Sequence, residues 1–193
     1  MIKIEKSNRK TISISINALG DITVKAPLKL PKSDIDKFIN SKSEWIKKHL
    51  DRRKLILDEN SSILNKEKGL YLGKIVDISS NFKKNIVSNA KQYLPARTEF
   101  LATKLGFEHG NVSVKDYKAR WGSCYKNKDI TLCYKLMMLS LDLIDYVIIH
   151  ELCHTVYFNH QKGFHELLSS KIKNERELNR RLKNYAFLLK IDY

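Results

Sequence analysis

Apolar and polar positions alternate near the start of the chain. TISISIN sets Ile12, Ile14 and Ile16 on one face, and DITVKA does the same with Ile22 and Val24. Period-two alternation predicts strands, and the Leu19-Gly20-Asp21 stretch between them predicts a turn, so this region reads as a β-hairpin closed by Pro27 and Pro31. Ser33 is an N-cap candidate for a helix to about residue 57, with Ile35, Phe38, Ile39, Trp45, Ile46 and Leu50 on its apolar face. Residues 58–69 are polar and read as a loop, and LYLGKIVDI reads as a strand or hairpin around Gly73.

The period then lengthens. A helix over about 84–105 would turn Tyr93, Phe100, Leu101 and Leu105 inward and end at Gly106. NVSVKDY and DITLCYKLMML read as strands flanking the loop ARWGSCYKNK. Ser140 can cap a helix over SLDLIDYVIIHELCHTVYF that buries Leu143, Val147, Ile148 and Leu152; a last helical stretch follows from FHELLSSKI, with Phe164, Leu167, Leu168 and Ile172 inward. Strands and helices mixed in this way predict an α+β fold, divided at 1–80 and 81–193 or continuous as one domain. There is no internal repeat and no low-complexity segment.

Composition narrows the class. The chain has 193 residues, 42% hydrophobic and 30% charged, as expected of a soluble globular protein. No apolar run approaches the roughly 20 residues of a membrane span, and the N-terminal MIKIEKSNRK lacks a signal-peptide core, so a cytoplasmic location without membrane contact is expected. Cys124, Cys133 and Cys153 are odd in number and unpaired in spacing, which argues against a disulfide framework and a zinc ribbon. Cys153 reads as a small buried thiol. The net charge of +15 is carried mainly by scattered lysines. A solvated surface accounts for it most simply, and contact with nucleic acid is the second reading. No RNA-recognition motif or glycine-rich phosphate cradle accompanies it.

The candidate chemistry lies in HELCHTVYFNH, residues 150–160. A four-residue step on a helix turns about 400°, so His150 and His154 share a face and can reach one ion. Imidazole suits Zn²⁺, and a catalytic site needs three protein ligands and an open position. Glu151 points about 100° away, placed to act on water without ligating the metal. Zinc brings the pKa of water towards roughly 7, and the carboxylate takes the proton as the water attacks a carbonyl. The third ligand is open. His160 follows His154 by the gap found in metzincins, with Tyr157 where those enzymes have glycine and with Asn159 able to turn the chain in a left-handed conformation. Glu175, on a downstream helix as in thermolysin-like enzymes, and His165 compete with it.

HELCHTVYFNHQKGF, preceded by RWGSC and IDYVIIHELCH, resembles the YgjP-like family of zinc metallopeptidases, related to the SprT-like and WLM proteases. The likeness extends to the hairpin ending at Ala26-Pro27, KSEWI with Trp45, YLGK at 71–74 and DITLCYKLMML, and so covers nearly the whole chain. It implies a zincin-like domain with a mixed sheet and an active-site helix, zinc held by His150, His154 and His160, and Glu151 as base. Gln161 and His165 depart from the family pattern beside the third histidine. Arg120, in the RWGSC segment, reads as a contact for a substrate carboxylate or oxyanion, or as a structural cation beside a Trp121 anchor and a Gly122 turn. Residues 130–135 read as an edge strand for substrate or as a core strand. Tyr134 and Tyr157 are further oxyanion candidates.

These features predict a zinc metallopeptidase acting on peptides or proteins. The alternatives are a metal-dependent hydrolase of another amide, or a nucleic-acid-associated protein with a non-catalytic zinc site. The oligomeric state is not encoded legibly.

Overall fold

In the computed structural model, which describes residues 2–193, the alternating isoleucines build a three-stranded sheet of β1 (Ile2–Ser7), β2 (Ser13–Ile16) and β3 (Ile22–Pro27). The predicted hairpin is β2 against β3, antiparallel, with Ile14 opposite Val24. β1 was not expected; it runs parallel to β3 and makes β3 the central strand. Val24 and Ala26 face inward and pack with Ile35 of α1 (Lys32–Ser41), with Ile12, Ile14, Leu30 and Ile39 around them.

The single helix expected over 33–57 is two helices, α1 and α2 (Ser43–Glu59), because Lys42 leaves helical geometry at φ −108°, ψ 9°. The break turns Trp45 outward, 40% exposed, where an inward position was expected. The helix also starts at Lys32 after Pro31, not after a Ser33 cap. The polar stretch 58–69 is not a loop throughout: α2 runs into it, and α3 (Ser61–Leu64) and the first residues of β4 lie within it.

The chain forms two compact units, one up to Ser61 and one from Ser62 to Tyr193. The second begins with the hairpin of β4 (Lys68–Tyr71) and β5 (Lys74–Asp77), turned at Leu72 and Gly73, both at positive φ. The Leu72 N–H donates to the Met137 carbonyl (2.8 Å) and the Gly73 N–H to that of Met138 (3.2 Å). These bonds tie the hairpin to the interior of the second unit, so the units divide at Ser61, whereas the sequence pattern placed the division at residue 80.

α4 (Phe82–Leu105) ends at Gly106 in the left-handed conformation, as expected of a C-cap. Its inward face is Ile86, Ala90, Leu94, Thr98, Leu101 and Ala102; Phe100, expected inside, is 51% exposed. Arg97 grips Asp145 of α5 (Leu141–His154) with two bonds of 2.8 and 2.6 Å, joining the two helices.

The second sheet is β6 (Val112–Lys115), β7 (Gly122–Cys124) and β8 (Ile130–Cys133), in the order β6-β8-β7. β8 is fully buried and central, parallel to β6 and antiparallel to β7. The strand over 130–135 is therefore a core strand, not an edge. It stops at Cys133, and Tyr134–Met138 continue as a buried 3-10 segment where the sequence pattern extended the strand. The edge is β7, cut from the segment read as a loop.

Within that 3-10 segment Lys135 has a wholly buried side chain, its ammonium donating to the carbonyls of Leu189 (3.1 Å) and Ile191 (2.7 Å) and lying 3.4 Å from the Asp116 carboxylate. Burial lowers its pKa, and Asp116 partly offsets this. Lys135→Met strands two carbonyls and removes a buried charge from its partner, so it is expected to lower the unfolding free energy by about 3 kcal/mol. The urea midpoint measures this, and an unchanged midpoint would deny the clamp a role in stability.

α6 (Lys162–Lys171), α7 (Glu175–Asn184) and a 3-10 segment, Tyr185–Lys190, complete the chain. The last helical stretch is thus interrupted, with Asn174 at φ 62° between α6 and α7. Among the described residues no helix is long and apolar enough to cross a membrane.

Candidate metal centre

α5 is apolar on almost every side, and nine of its residues are buried. Glu151 is the one acidic group among them. The helix enters the interior between α4 and β7 and delivers His150 and His154 to its far end on one face, as a four-residue step requires. It ends there too. Thr155 is the C-cap, and the Val156 and Tyr157 N–H groups both donate to the Cys153 carbonyl. The helix predicted through Phe158 is shorter by four residues, and this shortening brings His160 back. Tyr157 lies beyond the helix, so the turn needs no glycine at that position. Asn159 does not adopt the left-handed conformation expected of it; its side chain accepts the Gln161 N–H at 3.2 Å.

The result is three imidazoles converging on one point. His160 Nε2 lies 3.1 Å from His150 Nε2 and 3.2 Å from His154 Nε2. Tetrahedral coordination with zinc–nitrogen bonds of roughly 2.05 Å separates ligand atoms by roughly 3.3 Å, which the two distances from His160 match, and all three ligand atoms lie within 4.8 Å of one another. The tautomer fits as well. His154 Nδ1 lies 2.8 Å from the Tyr157 carbonyl; a carbonyl only accepts, so Nδ1 carries the proton and Nε2 presents its lone pair. Phe164, fully buried, floors the site with its ring 4.9, 4.5 and 4.8 Å from those of His150, His154 and His160. The sequence pattern marked Phe164 only as core, and periodicity alone carries no signal for this second role.

The other ligand candidates fall elsewhere. Glu175 accepts from Ser169 Oγ at 3.0 Å and lies 3.7 Å from His165 Nδ1. Among the described residues the group able to hold a metal is His150, His154 and His160.

Glu151 is 6% exposed and lies against β7. A Cβ on Gly122 would fall 2.8 Å from Glu151 Cγ and Oε1, so the missing side chain makes room for the carboxylate. Burial pushes the Glu151 pKa up to about 7, with Arg120 pulling the other way. Arg120 is exposed, lies over the Tyr117 ring at 5.7 Å and lines the 310 Å³ cavity shared by Glu151 and the three histidines. The two tyrosines are not brought to this cavity. Tyr134 is buried near Asp116, its hydroxyl without a hydrogen-bond partner among the described residues. Tyr157 offers its carbonyl to His154, while its ring lies over Gly163. Cys153 is a buried thiol, as read from the sequence.

These shifts set the acid stability of the metal-free protein. Burial, with the neighbouring imidazoles, lowers His150 from 6.5 to about 3, and His154 moves the same way. At these two histidines the unfolded chain therefore binds more protons than the folded one below pH 6.5, and the stability they contribute is lost as pH falls from 6.5 towards 3. Glu151 opposes this. Its folded pKa is raised from 4.5 to about 7, so protonation relieves a buried charge as pH falls through that window. Denaturation of chelator-treated protein between pH 6.5 and 4.5 is expected to show a shallower loss for wild type than for Glu151→Gln; equal slopes would contradict it.

Comparison with curated proteins and with solved structures gave no match. The model of the YgjP-like metallopeptidase domain matches residues 10–89 and 78–185, which together span most of the chain and take in the α5 histidines, β7 and the β2–β3 hairpin. The chain belongs to the YgjP-like metallopeptidase domain family.

Proposed function

We propose that the protein is a zinc-dependent peptidase in which His150, His154 and His160 hold the metal and Glu151 is the general base. The convergence of three imidazole nitrogens beside a buried carboxylate, open to one cavity, carries this reading. Zinc held there supplies Lewis-acid polarisation of a carbonyl and acidification of water. Glu151 accepts the proton of the attacking water and returns it to the departing amine. Arg120 stands at the cavity, its guanidinium over the Tyr117 ring and exposed, where it can meet an oxyanion or a substrate carboxylate.

A peptide is favoured over a small amide because β7 is an edge strand. One side pairs with β8, and the other borders the cavity through Gly122, Ser123 and Cys124. An extended backbone can add to that edge. The test is a cleavage profile of a proteome-derived peptide mixture with zinc-loaded wild type and Glu151→Gln protein. Absence of any Glu151-dependent cut would sink the proposal.

Gly122 sets the position of the base. Its φ lies outside the left-handed range, so Gly122→Ala brings no backbone strain and acts only through the Cβ that meets Glu151. Displacement of a catalytic group by about 1 Å can cost about 100-fold. Gly122→Ala is accordingly expected to lower kcat by at least about tenfold with zinc content unchanged. Steady-state kinetics at matched metal loading checks this; wild-type kcat would show that the contact relaxes freely.

A further inference from the structure

We propose that a second cavity beside Glu151 is a side-chain pocket, selecting substrates with one aliphatic or aromatic residue next to the scissile bond. The proposal rests on the peptidase reading and adds the substrate class. Two cavities meet at Arg120, Gly122, His150 and Glu151. The first contains the other two histidines. The second, of 230 Å³, is walled by Trp121, Tyr146, Val147 and Leu182. Whatever occupies it therefore lies against the metal ligand and the base, one residue's reach from the reacting carbonyl.

The walls define what fits. Trp121, Tyr146 and Val147 are all buried, and the latter two stand on α5 one turn before His150, with the Tyr146 ring 6.2 Å from the His150 ring. The pocket is thus carried by the same rigid helix as the metal site. The charged groups, Arg120 and Glu151, stand at the rim shared with the metal cavity, and the wall away from that rim is apolar, where an aliphatic or aromatic side chain gains from burial and a charged one loses its hydration. At roughly 30 Å³ per water, the volume equals about eight waters, below the roughly 300 Å³ of a drug-sized site. It accommodates one side chain.

Leu182 supplies the α7 wall and is only half-buried, so its size can be changed without touching a ligand or the base. The experiment measures binding, not turnover. Zinc-loaded wild type, Leu182→Trp and Leu182→Ala are titrated by calorimetry with acetohydroxamate and with hydroxamates bearing an isobutyl or benzyl group. The apolar group is expected to strengthen binding to wild type by about 10–200-fold. Leu182→Trp should abolish most of that gain while binding acetohydroxamate as wild type does. Leu182→Ala should shift the preference towards benzyl. A wild type indifferent to the apolar group, or a gain that Leu182→Trp leaves intact, overturns the pocket. Intact probe discrimination in a protein that cleaves no peptide would overturn the peptidase reading alone.

Discussion

Glu151→Gln is expected to lower kcat by about 10²–10⁴-fold, the range for removal of a positioned general base, while zinc content stays equal to wild type. Glutamine preserves the shape that packs against Gly122 and leaves His150 and His154 on their helix face, so the substitution takes away proton transfer and little else. The same variant is expected to be more stable than wild type above pH 7 in the metal-free state. There the Glu151 carboxylate, with its pKa raised to about 7 by burial, is ionised in a poorly hydrated place, and glutamine removes that cost. Loss of activity with gain of stability would mark a group held under desolvation for its chemistry. An inactive and destabilised variant would mark a structural acid.

His160→Ala is expected to weaken zinc binding by more than about 100-fold, since loss of an outer-shell partner alone typically costs 10–100-fold. It removes the one nitrogen that lies 3.1 and 3.2 Å from both others. Glu175→Gln, by contrast, should leave affinity unchanged, because that carboxylate is engaged by Ser169 and His165. Competition with a chromophoric chelator measures both. Wild-type affinity in His160→Ala, with loss in Glu175→Gln, would transfer the third-ligand role to α7.

Legibility in the sequence depended on range. His150, Glu151 and His154 were legible because helical geometry between neighbours in the chain is local and fixed. The β2–β3 hairpin was legible through Ile14 and Val24 for the same reason. His160 was legible only as one contender, since its place depends on where α5 stops, and Thr155 to Phe158 give no proline or glycine to announce the end. β1 was missed because its partner, β3, is reached only through a parallel pairing beyond the hairpin. The Gly122–Glu151 contact was invisible: it exists only once β7 has paired with β8 and lies against α5. Tyr134 and Tyr157 were named for their hydroxyls. The fold buries the first, and uses the main chain of the second.

That main-chain acceptor has a consequence for substitution. The group that orients His154 is the carbonyl of residue 157, an atom every amino acid carries. Point substitution at this position cannot delete it, so the aim of the His154 ring does not depend on the side chain at residue 157. The spacing has no such protection. One residue inserted or lost between His154 and His160 would move both the carbonyl and the third imidazole, so the arrangement depends on the length of this segment and not on the side chain at residue 157.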